Sequence, residues 1–435
     1  MSNISNRPSA LSDPSKISII RSYGVVFAAA TFFLFSFINL NSFDALNQTL
    51  RAFYHVNALS ISNLSAMYFY ANIIFMIPAG LLLDRFSTRK LLLTVMLISI
   101  LATLIFTWGD ELWAAILSRF IMGATSTFCL LSTAKLTSRW FSPNHSASVM
   151  GWVVTMAMLG GILAQQLPSL IQLTGSWQST MTAIALLGFV FWLLILIFVR
   201  DNPPHRENTH KTEQAHLKKI GFWKTLGPAL INSQTWIAGV YTNLLTLPIV
   251  VMGALWVKDY VVTVFHETTG QAELAASLIF LGVLVGCPLA GIISDKIKRR
   301  RLPMLVGAVL TLLTAVFLLS ERSLSPFEIG LDFFLMGLFS GSQVITYALV
   351  IESNPKNTTA LSEAIASMII MSAGAIFQPL FGYLLEKNWD GKTIHGAALY
   401  SANNFHDALW LLPLAFGVSV LLSLFIKETY CRPTH

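Results

Sequence analysis

The sequence predicts an all-α membrane protein whose twelve transmembrane helices form two pseudo-symmetric six-helix bundles. Three observations predict it. The 435-residue chain is 54% hydrophobic and 11% charged, with a mean hydropathy of +0.65, whereas a soluble domain carries about 25% charged residues to meet water. Apolar stretches long enough to cross a bilayer core, about 20 residues each, recur along its whole length. The two halves also repeat one another, the mark of a duplicated unit. A soluble enzyme, a nucleic-acid module and a disordered regulator are all excluded by this composition.

A polar tail, 1–22, comes first and contains no apolar core of the kind a signal peptide needs. The first bundle, 23–199, holds spans at 23–45, 59–83, 90–108, 112–137, 147–170 and 179–199. Residues 200–234 form a linker whose stretch from Arg200 to Lys224 is the longest polar run inside the chain. The second bundle, 235–426, holds spans at 235–257, 273–294, 302–320, 327–351, 359–385 and 407–426, followed by a short tail, 427–435.

Lys and Arg concentrate on one side of these spans: in the amino-terminal tail, at Arg85, Arg89 and Lys90, at Arg139, through the linker, from Lys296 to Arg301, and at Lys356, Lys427 and Arg432. The other side has Arg51, Lys258, Arg322, Lys387 and Lys392. Loops rich in Lys and Arg stay in the cytoplasm, so both termini and the linker are expected there. Topology thus accounts for the net charge of +7, and no nucleic-acid partner is implied. Cys129, Cys287 and Cys431 show neither CxxC nor Cys/His spacing, so neither a disulfide framework nor a metal site is expected.

The repeat appears in three helix pairs. Ala79-Gly80 through Asp84-Arg85 ends the second span, and Ala290-Gly291 through Asp295-Lys296 ends the eighth; the same spacing carries Arg89 onto Arg300. Met158, Gly161 and Gln165 in the fifth span recur as Met371, Gly374 and Gln378 in the eleventh, and Phe120 to Gly123 in the fourth as Phe334 to Gly337 in the tenth. Two such bundles enclose a midplane site that opens alternately to each side.

Gly80-x-x-x-Asp84-Arg85-x-x-x-Arg89-Lys90 resembles the signature loop of the major facilitator superfamily, and Arg119-x-x-x-Gly123 is similar to that family's second motif. Tyr70-Ala71, Ile77 through Phe86, Lys135-Leu-x-x-Arg139-Trp140-Phe141 and Gly374 through Leu380 resemble a narrower bacterial branch of phagosomal nutrient transporters and siderophore carriers. The loop departs from the family pattern at Ser87, where glycine is usual, and the first span carries Asn39 and Asn41 in a stretch that is normally more apolar. The resemblance implies a latch in which Asp84, with Gly80, Arg85 and Arg89, docks on the amino terminus of the eleventh span after Asn357-Thr358. Gly291, Asp295 and Arg300 form its counterpart near Asn144 to Ser146. A helix amino terminus favours a nearby carboxylate by about 0.3–1 kcal/mol.

Arg119 lies two turns inside the fourth span, where a charge is costly, so it faces the bundle interior and meets either an anionic substrate group or neighbouring helix carbonyls. Asn39, Asn41, Gln165, Tyr241, Asn243, Gln343, Tyr347 and Gln378 are polar side chains at mid-span that either line a hydrated path or bond between helices. Asp44, Asp332 and Glu363 are the acidic candidates for proton coupling. The nine histidines fall in loops or at span ends and offer no relay.

Together these features predict a monomeric secondary transporter of a bacterial inner membrane, embedded in lipid and needing no cofactor. It takes up a small polar metabolite of amino-acid or nucleoside type, or a carboxylate-rich siderophore, coupled to protons. Export of a siderophore or drug-like compound is the alternative, and a membrane sensor with a transporter-like fold is the reading outside transport. No Walker motif, HExxH or nucleophile elbow points to an enzyme.

Overall fold

A computed structural model describes residues 19–141, 143–172, 176–203, 230–320, 324–355, 358–394 and 397–432; side chains are not described at 84, 143–148, 168–172, 359–360, 394 and 397. Twelve helices among the described residues are long and apolar enough to cross a membrane: α1 (Ile20–Tyr54), α2 (Ala58–Leu83), α3 (Thr88–Trp108), α4 (Leu112–Trp140), α5 (Val149–Leu167), α6 (Trp177–Phe198), α7 (Ser233–Phe265), α8 (Thr269–Ile297), α9 (Arg301–Leu318), α10 (Pro326–Glu352), α11 (Leu361–Lys387) and α12 (Ala402–Phe425). The predicted linker falls largely outside the described residues, as does most of the amino-terminal tail. The spans alternate in direction, so α1 begins and α12 ends on one side, called here the terminal side; the α1–α2 and α7–α8 loops lie on the far side. A two-residue hairpin, β1 (Thr393–Ile394) and β2 (Ala397–Ala398), sits in the far-side loop between α11 and α12.

Every third helix is the most enclosed. The apolar windows of α1, α4, α7 and α10 are 56–94% buried, those of the other eight 28–50%. Four helices therefore form an inner ring. The outer ones turn side chains such as Leu186, Ile197 and Phe198 of α6, Leu313 of α9 and Leu414 and Phe425 of α12 outward. An apolar surface of that extent belongs in lipid.

Helix ends follow local chemistry. On the far side, α8, α10 and α12 each open with a capping box, Thr268/Gln271, Ser325/Glu328 and Ser401/Asn404, and Asn57 caps α2 through the amide of Ser60 at 2.9 Å. Each such cap stabilises by about 0.5–2 kcal/mol. On the terminal side the duplication shows again. Asp201, just after α6, accepts from the Ser87 hydroxyl and the Arg89 amide at the start of α3. Glu428, just after α12, accepts from the amides of Arg300 and Arg301 at the start of α9.

The repeat also fixes how helices approach. A Cβ on Gly123 of α4 would overlap the Tyr68 carbonyl of α2, and one on Gly337 of α10 would overlap the Ile279 carbonyl of α8, at the positions the internal repeat equates. Backbone cannot swing away as a flexible side chain can. Gly337→Val is therefore expected to destabilise the purified protein by about 1–3 kcal/mol, lowering its Tm. Gly417→Ala, which meets open space, should leave Tm unchanged.

Two helices run further than the sequence predicts. The first extends to Tyr54 rather than 45, and the seventh to Phe265 rather than 257. Their added turns carry Asn47, Arg51, Lys258 and Asp259, which polarity alone assigns to water. Here each has a partner from the opposite half, so helix continues inside protein. Helix α7 also changes character midway: Pro248–Trp256 is π-helical. Such a bulge commonly marks a functional site.

Candidate functional site

Hydrogen bonds between the halves lie at mid-span or on the far side among the described residues. At mid-span the Tyr70 hydroxyl of α2 donates to the Ala375 carbonyl of α11 at 2.8 Å. Further out, Gln165 donates to the Gly253 carbonyl of α7 at 2.7 Å and Gln166 to Ser277 of α8 at 3.1 Å. Beyond these is a dense seal. Arg51 is buried between Asn47, the Ala398 carbonyl and Asp259, with the rings of Trp256 and Tyr400 against its guanidinium. The Lys258 ammonium reaches the Ala45 carbonyl at 2.8 Å and Glu273 at 3.1 Å. The Tyr400 hydroxyl accepts from the Ala58 amide, and Glu386 from that of Leu59.

The widened π turns of α7 present carbonyls that amides from three other helices reach. Gln165 of α5 takes Gly253, Gln378 of α11 takes Val250 at 2.6 Å, and Asn47 of α1 takes Leu255. The repeat relates Gln165 and Gln378, and both converge on this one segment. Their Oε1 atoms, and Oδ1 of Asn41, are buried with no partner among the described residues. Such atoms cost about 1–3 kcal/mol each when left unsatisfied and suit a polar solute.

Arg119 is fully buried, as its position predicts. Its partners are the carbonyl of Asn39 at 3.2 Å, the carbonyl and hydroxyl of Ser65 at 3.4 Å, and the faces of Phe43 and Tyr68. Neighbouring carbonyls and rings, rather than a carboxylate, surround it, and its Nε has no partner among the described residues. Asn39 itself bonds the Phe35 carbonyl and accepts from Thr103; Asn41 bonds the Phe37 carbonyl. Lys135 reaches the Leu83 carbonyl near the terminal side.

In the second half, Asn243 donates to the Ile369 carbonyl and Ser372 of α11, while Gln343 accepts from Thr246. Tyr347 is partly exposed on α10 beside them in sequence. Tyr241 departs from the expected pathway. Its hydroxyl is wholly buried and bonded to the Met304 carbonyl of α9 and to Ser342 of α10, because a phenol in hydrocarbon must find a partner. It packs the second half together, apart from the seam.

Of the acidic candidates, Asp44 is completely buried: one oxygen accepts from the Lys258 amide at 3.2 Å and the other has no partner among the described residues. Asp332 is buried in α10 with one unpartnered oxygen, and Glu363 is half-buried near the terminal end of α11. The predicted latch falls partly beyond view: the Asp84 side chain, residues 356–357 and the side chains of 144–146 lie outside the described residues. A Cβ at Gly80 or Gly291 would meet nothing, and Arg85 is exposed. Arg89 bonds the Leu196 carbonyl, and Asp295 pairs with Arg300 of its own half at 2.6 Å. Glu352 holds Arg300 from the other side. Burial works against the Arg300 charge, but the hydrogen bonds it donates to Glu352 and then Asp295 outweigh it and raise its pKa.

Sequence reasoning missed the far-side seal. Arg51 and Lys258 pass as topology markers, Asp259 as a loop residue beyond the seventh span, and Glu273 as the edge of a span. One signal was present: Asn47 and Arg51, four apart, share a helix face.

Comparison with known proteins places this geometry. The model of the Major Facilitator Superfamily matches residues 24–379 and 245–427. An uncharacterized MFS-type transporter of Caenorhabditis elegans is 22% identical over 87% of this chain, which spans 64% of that relative's length. The probable galactarate/D-glucarate transporter of Escherichia coli K12 is 21% identical over 76% of this chain and 81% of its own, and the probable sulfoacetate transporter of Cupriavidus necator 21% over 72% and 75%. In structure the chain is similar to a D-xylose-proton symporter, with TM-score 0.74 and 14% identity over 94% of this chain and 99% of that one. It is also similar to a bacterial homologue of the lysosomal transporter Spinster in an inward-facing, unoccupied conformation, with TM-score 0.67 and 14% identity over 95% and 97%. The chain belongs to the Major Facilitator Superfamily.

Proposed function

We propose that the chain is a secondary transporter of the bacterial inner membrane that takes up a small polar metabolite bearing an anionic group, by alternating access coupled to protons. One observation carries the reading: a dense seal of hydrogen bonds and ion pairs ties the two halves together on the far side, where a carrier that opens alternately must close. With the Lys-rich terminal side in the cytoplasm, the seal closes the carrier to the outside. The opposite conformer breaks the far-side ties and brings the loop of Gly80, Asp84 and Arg85 against α11.

Arg119 supports the substrate class. A buried guanidinium held by long bonds to neutral groups, with no carboxylate beside it among the described residues, gains from an anion. Two relatives are named as a probable galactarate/D-glucarate transporter and a probable sulfoacetate transporter, and each of those solutes carries an anionic group. Amino acids and carboxylate-rich siderophores keep their place; nucleosides fall behind. Asp44, Asp332 and Glu363 supply groups able to exchange a proton.

A thermal-shift screen of purified protein against hydroxydicarboxylates, sulfonates, amino acids and nucleosides, followed by liposome uptake with and without a pH gradient, tests this. Uptake of the best ligand is expected to fall about 10- to 100-fold in Arg119→Gln, the loss of a charge-assisted bond, and less in Arg119→Lys. Unchanged uptake by a well-folded Arg119→Gln removes the residue from the site, and a neutral ligand giving the largest shift overturns the substrate class.

A further inference from the structure

Helix α2 begins with amides that its own sequence does not cap. An α-helix leaves its first N–H groups without partners inside the helix. In α2 the Asn57 side chain takes the Ser60 amide. The Ala58 amide donates to the Tyr400 hydroxyl at 2.8 Å and the Leu59 amide to the Glu386 carboxylate at 2.9 Å, and both acceptors belong to the second half. Tyr400 also lies beside Glu386, so the two act on α2 together. The register of the internal repeat equates Asn57 with Thr268, at the start of α8. There Thr268 and Gln271 close the helix end with a box of their own. Of these two related helices, α2 alone takes part of its cap from across the seam among the described residues.

The packing of α2 on α11 sets that cap in place. Gly382 and Glu386, one turn apart, share a face of α11. A Cβ on Gly382 would overlap the Ser62 hydroxyl and the Ala58 carbonyl, so the last turns of α11 lie directly on the first turns of α2. The two helices are antiparallel, α2 starting and α11 ending on the far side. A carboxylate at a helix amino terminus gains from the positive end of the helix dipole. Glu386 has that gain only while the halves touch.

We propose that Glu386, with Tyr400, is a far-side latch that shuts the carrier by capping α2 across the seam. It presupposes alternating access and deepens that reading. Helix α2 reaches the terminal side at Asp84, the carboxylate that the likeness of the signature loop sets on the start of α11. Each helix of the pair thus ends in a carboxylate where the other begins, and rocking seats one only by unseating the other. When the far side opens, water takes over the Ala58 and Leu59 amides. The helix survives and the tie is lost.

The test reads conformation without substrate, so its failure and a failure of the transport reading are separable. Full-length protein with Cys129, Cys287 and Cys431 replaced by alanine carries Ser277→Cys, a buried position of α8 that bonds Gln166 across the seam. In nanodiscs its rate of reaction with a thiol reagent follows the fraction of time the far side is open. Glu386→Gln keeps an acceptor and removes the charge, and is expected to speed labelling about two- to fivefold. Glu386→Lys, which the dipole repels, should speed it further. Asn57→Asp separates a latch from simple packing. Asp caps a helix as well as Asn does, so Tm should hold or rise, while the new carboxylate repels Glu386 and speeds labelling. Asn57→Asp/Glu386→Gln removes that repulsion and should label more slowly than Asn57→Asp. Parent-like labelling in Glu386→Gln or in Asn57→Asp, or additive acceleration in the double variant, would each overturn the proposal. The expected labelling pattern in a protein that takes up no solute into liposomes would count against the transport reading alone.

Discussion

Arg51→Ala is expected to open the far side. The guanidinium ties α1 to Asp259 of α7 and to the Ala398 carbonyl of the α11–α12 hairpin, and two rings of the second half, Trp256 and Tyr400, lie against it. Removing it strands Asp259 in a seam where that carboxylate is 11% exposed. Breaking a buried pair from one side costs about 3–5 kcal/mol, and each 1.4 kcal/mol is a factor of ten. The closed-to-open ratio should thus shift toward open by about a hundred- to a thousandfold, limited by the water that enters. Labelling of a cysteine placed at Ser62, buried in the far-side half of α2, should accelerate accordingly. The double variant Arg51→Ala/Asp259→Ala removes the stranded charge and should recover much of the closure. If labelling in Arg51→Ala matches the parent, the seal is held elsewhere.

The twelve spans were legible because lipid imposes one requirement on each: about twenty apolar residues with every backbone group satisfied within the helix. The duplication was legible because spacing survives where composition drifts. The far-side seal was not. Arg51, Lys258, Asp259 and Glu273 are charges at helix ends, and a charge there reads as contact with water until the opposing half is in place. Its proteinaceous surroundings come from residues some two hundred positions away. Tyr241 shows the converse. A phenol at mid-span reads as pathway lining, yet the Met304 carbonyl turns it into packing. The π-helical stretch of α7 left no periodic trace, because Pro248–Trp256 is apolar on every side.

Two ring-on-glycine contacts between the halves have the same duplicated logic and give the second large effect. On α2, the Phe69 ring lies against Gly374 of α11; on α8, the Phe280 ring lies against Gly161 of α5. The register that maps Ala79 onto Ala290 maps Phe69 onto Phe280, and the one that maps Gln165 onto Gln378 maps Gly161 onto Gly374. Each half thus offers one ring and one glycine, and the two contacts are related by the pseudo-twofold axis. A flat ring on a bare backbone has no side chain to interlock with, so the surfaces can roll while staying packed. A Cβ at either glycine would overlap ring atoms. Gly374→Leu should therefore wedge α2 from α11, abolishing net transport and lowering Tm by the cost of overpacking, about 1–3 kcal/mol. Phe69→Ala alone should cost about 3–5 kcal/mol through the cavity it leaves. Combined, the new leucine fills the space vacated by the ring, so Gly374→Leu/Phe69→Ala should be more stable than either single variant. The same reversal is expected for Gly161→Leu with Phe280→Ala. Additive losses in both pairs would mean that ring and glycine do not meet as a pivot, and that the halves turn about some other contact.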